Sequence, residues 1–474
     1  MADTSRVSVG TWGDLLGPAH LGASTVLAGG VALYATNEFL TISLMPSAVA
    51  DIGGQRFYAW VTTVYLVASV IAATMVHPLL LRLGPRGAYL PGLAVFAAGS
   101  LGCALAPTME LLLVGRTVQG AAGGLLAGLG YAVINTALPS RLWTRASALV
   151  SAMWGVGTLV GPSAGGLFAQ FGSWRWAFGV LVVLTVAMAV LVPFALPGRG
   201  DTTTAGVPRL RIPLWSLLLL GAAALVVSMA GIPHDVRATA ALLAAGVVIV
   251  VVFLFVDRRA AVAVLPPSTF GSGPLKWIYA TLGLLMAATM VDMYVPLFGQ
   301  RLAGMAPVVA GFFGAVLSVG WTGGEISSAS LRRAQVITRT VAAAPLVMAA
   351  GLAVGMLALR DVMSPGWAAL WALGLLVTGS GIGIAWPHLS AWAMSRVDDP
   401  AEGPAAAAAI NTVQLICGAF GAGLAGVVVN LTDAGNATAA RWLFALFAGF
   451  VAVGVIASTR SGRAPVSPDR RRSV

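Results

Sequence analysis

Fourteen apolar runs, each about long enough to cross a bilayer as a helix, alternate with short polar segments along this chain, and that alternation fixes what it can fold into. A transmembrane helix needs about 20 mostly apolar residues. Runs of that kind lie near 25–50, 57–80, 88–106, 110–137, 146–170, 174–197, 212–231, 236–256, 276–299, 307–328, 337–360, 364–393, 404–430 and 437–459. Charged residues make up only 9% of the chain, against about 25% in a water-soluble domain. There are too few charges to cover a soluble surface, so the fold class predicted is an all-α membrane protein of 14 spans.

The 27 Lys and Arg residues test the count. With the N-terminus inside, 20 fall in inner segments and six in outer ones (Arg56, Arg175, Arg237, Arg301, Arg360, Arg441), with Arg116 inside the membrane. That inside excess predicts an even number of spans and both termini in the cytoplasm. The net charge of +11 then reads as membrane topology, with no nucleic-acid partner. Arg- and Ala-rich, nearly Lys-free composition points to a GC-rich bacterium, and hence to its cytoplasmic membrane. The N-terminal stretch MADTSRVSVGTWGDLLGP lacks the basic and apolar regions of a cleaved signal. It is expected to be an unstructured tail, with an interfacial helix through Trp12, Leu15 and Leu16 as the alternative.

The spans group as six, two and six. The predicted parts are a tail at 1–24, a six-helix bundle at 25–197, a linker region with two extra helices at 198–275, a second bundle at 276–459 and a basic tail at 460–474. Two weakly similar six-helix blocks are a transporter architecture, with the site near the midplane. No nucleotide-binding GxxxxGK[ST] occurs. Cys103 and Cys417 sit in apolar runs, and with the four histidines they make no metal spacing. No cofactor, no metal and no enzymatic constellation is expected.

One stretch, GTLVGPSAGG (157–166), concentrates the poorest helix formers inside an apolar run. Gly costs about 1 kcal/mol and Pro about 3 kcal/mol against Ala in a helix. Gly157, Gly161 and Gly165 share one face at i, i+4, i+8, with Gly166 beside them and Pro162 adding a kink. Small residues let a neighbouring backbone approach closely in lipid.

The stretch resembles the fifth-helix antiporter motif of the major facilitator superfamily, and GSWRWAF (172–178) resembles its continuation in the fourteen-helix drug:proton antiporter branch. GRTVQGAAGG (115–124) is similar to the fourth-helix motif, with Arg116 at its arginine. YVPLFGQRLAGMAPVVAG (294–311) and INTVQLICGAFGAGLAG (410–426) resemble the ninth and thirteenth helices. The resemblance covers essentially the whole chain. It implies a major facilitator fold of two six-helix bundles plus two central helices, rocking in alternating access. It also implies that the glycine-proline helix packs on the other half. The tenth span, with Gly311, Gly314, Ala315 and Ser318, is the expected partner. Two departures stand out. HPLLLRLGPRGAYL (77–90) keeps Arg82, Gly84 and Arg86 of the gating loop but has Leu81 where the motif has an aspartate. In LYATNEFLTISLMPSAVAD the branch's acid position is Asn37, and the acid is Glu38. One residue turns a helix by about 100°, so Glu38 is expected to face differently.

Ionisable groups inside a membrane are functional-site hypotheses by default. Glu38 lies about 18 Å from the outer end of its span at 1.5 Å per residue, near the midplane. Glu38 and Asp292 are the candidates for carrying protons or the positive charge of a substrate, with Arg116 coupled to them. Arg116 and Asp292 lie about 9 Å below the outer surface by the same count. They are expected to pair across the halves, or Arg116 to act on Glu38 or Asn37 within its own half. Glu325, an inner-gate candidate with Arg82, Gly84 and Arg86, reads first as a partner for Arg332 or Arg333. His388 reads first as a structural histidine. Candidate cavity residues are Asn37, Tyr34, Gln119, Trp154, Tyr294, Trp386, Asn411 and Gln414, with Tyr65 and Phe298 beside them.

The expected function is export of a hydrophobic or cationic compound against protons, by a monomer that uses the proton gradient as its energy source. Its partners would be the small-molecule substrate, protons and the bilayer. Alternatives are an exporter of an endogenous lipid or metabolite, an uptake symporter, and a non-transporting sensor or scaffold.

Overall fold

The computed structural model describes residues 11–198, 212–233, 235–399, 402–432 and 437–462. The first ten residues, most of the 198–213 linker, and Arg463, Arg470, Arg471 and Arg472 of the C-terminal tail lie outside them. The described residues are helical almost throughout. The main helices are α1 (Leu21–Ile52), α2 (Trp60–Ala73), α3 (Val76–Ala104), α4 (Met109–Ala132), α5 (Trp143–Phe171), α6 (Trp174–Ala195), α7 (Leu214–Met229) and α8 (Val236–Arg259). They continue with α9 (Leu275–Ala303), α10 (Pro307–Ala329), α11 (Ala334–Ala358), α12 (Pro365–Ser395), α13 (Gly403–Leu431) and α14 (Ala437–Ser461). Among the described residues, 11 helices are long and apolar enough to cross a membrane. The others are α7, apolar but only 16 residues long, and α1 and α5, which are long but less apolar. Those last two carry Asn37–Glu38 and the glycine-proline stripe, so the groups that depress their hydropathy are the ones singled out as functional.

Local chemistry explains three departures from the predicted boundaries. Residues 11–15 are not an unstructured tail. Thr11 and Asp14 form a reciprocal capping box on a one-turn helix, Trp12–Leu15, and Leu15 is fully buried. The 77–90 segment is not a loop. The chain turns at Thr74–Met75 and then runs helically through Arg82, breaking at Gly84, whose φ of 71° is a left-handed value that favours glycine. Finally, α9 is interrupted: Met290–Tyr294 is a 3-10 turn. Pro296 is the cause. It has no N–H to give the carbonyl of Asp292, and its ring crowds that carbonyl.

Two compact units are present: Met1–Gly53 with Ala68–Ile212, and Gly54–Val67 with Pro213–Val474. The start of α2 and the helices α7 and α8 therefore group with the second unit.

In the first unit the glycine stripe lies against α1. A Cβ on Gly161 would sit 2.7 Å from Phe39 Cβ and 2.9 Å from Leu40 N. One on Gly165 would sit 2.6 Å from Leu40 O, and one on Gly157 2.5 Å from Ala35 Cβ. The stripe fixes a requirement for close backbone approach, and α1 meets it with Ala35, Thr36 and Ser43. Helices α3 and α4 cross just as closely, through Gly99 and Gly115.

One end of this unit is latched. Asp51 accepts from Trp174 Nε1 at 3.0 Å and pairs with Arg175, whose Nη2 donates to Ala106 O at 3.1 Å. Both charges are part-exposed, so the pair is weak. Arg175→Leu is expected to lower the melting temperature of the purified protein only slightly, and far less than a substitution in the glycine stripe.

In the second unit α10 and α12 interlock. Gly320 and Gly324 meet α12 backbone at Leu376 and Ser380, while Gly379 and Gly383 meet α10 backbone at Leu317 and Trp321. Helix α13 uses its GAFGAGLAG stretch on several sides: Gly421 against Ala287 of α9, Gly423 against Ser228 of α7 and Gly426 against Ala59. Helix α7 is also tied to the start of α2. Trp60 Nε1 donates to Ser228 O at 3.2 Å, and Ser228 Oγ donates to Thr63 Oγ1 at 3.1 Å.

Past α8 the chain is folded by one carboxylate. Asp257, fully buried, accepts from the backbone N–H groups of Val264 at 2.8 Å and Leu265 at 2.9 Å. Asp257→Ala strands both donors, at about 1–3 kcal/mol each. Thermal melting in detergent is expected to show a loss of that order.

Candidate functional site

The close crossing of α3 and α4 places polar side chains in the centre of the first unit. Gly99 leaves room beside the Gln119 backbone, so Gln119 Nε2 reaches Ser100 Oγ at 2.8 Å. Ser100 Oγ in turn donates to Phe96 O at 2.8 Å. Gln119 Oε1 accepts from Arg116 Nη1 at 2.9 Å and from Cys103 Sγ at 3.4 Å. Arg116 Nη1 also donates to Asn37 Oδ1 at 3.2 Å. Thr41 Oγ1, one turn on, donates to Asn37 O at 2.7 Å. Asn37, Arg116 and Gln119 are all buried.

Arg116 is thus held within its own unit, by neutral amide acceptors from α1 and α4. Asn37 occupies the place on α1 that meets the guanidinium. Glu38 follows it, is 8% exposed, and its Oε2 has no hydrogen-bond partner. The one-residue offset in the sequence is therefore an offset in bonding: the amide takes the arginine, and a carboxyl oxygen is left open. Tyr34, one turn earlier on α1, packs edge-on to Trp154 of α5 with ring centroids 5.4 Å apart.

A second buried acid sits in the second unit, at the interruption of α9. Asp292 is 9% exposed, and its Oδ1 has no hydrogen-bond partner. Gly314 of α10 keeps space beside it; a Cβ there would be 3.7 Å from that oxygen. Next to the acid runs an aromatic ladder. Tyr58 stacks on Tyr294 at 4.8 Å and Tyr294 on Phe298 at 5.8 Å. Tyr58 OH donates to Met293 O at 3.2 Å, while Tyr294 OH is buried without a partner. Tyr58 is absent from the sequence-based candidates. It precedes α2, and nothing local in the sequence assigns it to α9.

Elsewhere the candidates scatter. Trp386 of α12 packs on Trp321 of α10 at 5.4 Å, with Glu325 one turn beyond Trp321. Glu325 is not ion-paired with Arg332 or Arg333, correcting the first reading of it. The helix stops at Ala329, and the arginines lie past its end, where Arg333 is already extended. On α12, His388 Nε2 lies 3.1 Å from Ser328 O. Gln414 is half-buried, Asn411 exposed and Tyr65 fully buried. Arg86 donates to the carbonyls of Pro193 and of Leu196, the latter at 3.3 Å. It ties down the end of α6. Arg82 is exposed.

A buried carboxyl oxygen with no donor is a place where a proton or a cation can bind. The first unit sets its acid beside a fixed cation and two amides, Gln119 bonded at both ends and Asn37 bonded through Oδ1, with Asn37 Nδ2 buried without a partner. The second sets its acid on a 3-10 turn beside stacked rings, whose faces attract cations. Interrupted helices at substrate and ion sites are a recurrent feature of transporters.

The family model of the Major Facilitator Superfamily matches residues 27–422. A Mycobacterium tuberculosis protein named as a probable multidrug-efflux transporter is 63% identical over 462 residues, spanning 97% of this chain and 98% of that one. Multidrug resistance protein 3 of Bacillus subtilis is 24% identical over 397 residues, 79% of this chain and 73% of that one. Two solved structures share the fold: the nucleoside transporter NupG, with a TM-score of 0.64 at 14% identity over 94% of this chain and all of that one, and the xylose transporter XylE from E. coli, with 0.60 at 12% identity over 92% and 98%. Helix order, matched span and the identity shared with these relatives agree that the chain belongs to the major facilitator superfamily, as a multi-pass membrane transporter.

Proposed function

We propose that this chain exports hydrophobic or cationic small molecules from a bacterial cell in exchange for protons. The observation that carries the proposal is the pair of buried acids, Glu38 and Asp292, each with an oxygen that has no hydrogen-bond partner. Either oxygen can take a proton or face a positive substrate, so the two ligands compete. Inward proton flow then drives outward movement of the cargo, with no nucleotide or metal cofactor. The likeness to relatives named for multidrug efflux supports the same cargo class.

In this reading α1–α14 are 14 spans arranged as six, two and six. The protein works as a monomer in the cytoplasmic membrane with both termini inside, and it alternates access across the bilayer. Arg116 holds Asn37 and the neighbouring turn of α1 in place, and the Tyr58–Tyr294–Phe298 ladder offers ring faces to a cation. The test is ethidium efflux from cells that express the chain and lack their own pumps. Efflux that collapses on adding a protonophore is the expected result. Efflux that persists without a proton gradient, or no efflux of any lipophilic cation in a broad panel, contradicts the proposal.

A further inference from the structure

The two extra helices carry a pocket that export does not use. It lies between the N-terminal turn of α7 and the last turn of α8, has a volume of about 390 Å³, and is lined by Leu214, Trp215, Ser216, Phe255, Val256 and Arg259 among others. Its walls are apolar, and Arg259 is the one charged residue among those that line it. Arg259 is exposed, stacks over the Phe255 ring at 3.5 Å, and has no hydrogen-bond or ion-pair partner among the described residues. The nearest acid in sequence, Asp257, spends its carboxylate on the backbone of Val264 and Leu265. Ser216, 1% exposed, is also a lining residue. Trp215 and Phe255 are 74% and 60% exposed, a surface suited to acyl chains. Pro213 is another lining residue.

We infer that this pocket binds an anionic phospholipid of the inner leaflet, its phosphate held by Arg259 and Ser216 and its acyl chain laid along Leu214, Trp215, Phe255 and Val256. The sign of the charge sets the pocket apart from the transport site, because an unpaired arginine repels a cationic cargo. The apolar walls set it apart from a site for a free phosphate, which has nothing to place there. The extra helices then tie the transporter to the lipid on its cytoplasmic side.

Native mass spectrometry of the delipidated full-length protein, with phosphatidylglycerol and phosphatidylcholine added in turn, tests this. The wild type is expected to prefer phosphatidylglycerol by about tenfold, equivalent to about 1.4 kcal/mol. Arg259→Gln is expected to abolish that preference, while Arg258→Gln, which does not line the pocket, keeps it. Phe255→Leu retains an apolar wall but removes the ring beneath Arg259, and is expected to weaken the preference. Its reading stands even if Arg259→Gln does not fold. An equal affinity for both lipids, an unchanged preference in both pocket variants, or displacement of phosphatidylglycerol by inorganic phosphate or by a lipophilic cation would overturn the inference.

Discussion

Glu38→Gln leaves a folded, inserted protein that no longer releases protons when substrate binds. The amide has the shape of the acid but cannot titrate, so the exchange step is lost. Folding is spared because Glu38 Oε2 has no hydrogen bond to lose. A neutral amide is also cheaper to bury than a charge. Thermal melting should therefore stay level or rise while proton-coupled flux falls to background. Arg116→Met should show the opposite pattern. It strips the charged donor from Asn37 Oδ1 and Gln119 Oε1, leaving them only the longer contacts from the Thr41 hydroxyl and the Cys103 thiol, so melting is expected to fall, by about 1–3 kcal/mol for the lost charge-assisted bonds. A melting assay run beside the flux assay separates a proton carrier from a residue that positions one.

Gly161→Leu has an equally large effect, by another route. A Cβ at this position would press on Phe39 Cβ, Leu40 N and Thr36 O at once. Two of these are backbone atoms, so α1 as a whole must move. Even Gly161→Ala should cost about 1–3 kcal/mol of overpacking, and the leucine more. Because α1 carries Asn37 and Glu38, the displacement also spoils the site: Asn37 loses its register with Arg116. Transport is expected to vanish in Gly161→Leu and to be reduced in Gly161→Ala, with the protein still in the membrane. Normal flux from the leucine variant would show that the α1–α5 seam does not govern the site.

Much of this was readable from the chain because charge stands out in apolar sequence. Glu38, Arg116 and Asp292 declare themselves by being ionisable where the solvent is lipid. The offset of Glu38 from Asn37 was legible as well, and its consequence is the bonded amide beside the unbonded acid. The glycine stripe was legible as a need for close approach, but spacing on one helix does not say which helix answers. Within its own unit the answer is α1. The interlock of α10 with α12 is written in the same notation, Gly320–Gly324 against Gly379–Gly383. In a chain with 58 glycines it does not stand out. The 3-10 turn at Asp292 had a signal in Pro296, four residues on. Ser100, Cys103 and Tyr58 had none, since a serine, a cysteine and a tyrosine in apolar runs are ordinary until the backbone brings them to Gln119 or Tyr294.

The central claim is that a proton leaves a buried acid when cargo arrives. Its most direct test is substrate-evoked proton movement in proteoliposomes with a trapped pH dye, under an imposed pH gradient, across a panel of lipophilic cations. Wild-type protein is predicted to release protons on addition of at least one compound. Glu38→Gln or Asp292→Asn is predicted to lose that release. A folded wild type that moves no proton for any compound, or a release that survives in both variants, contradicts the account.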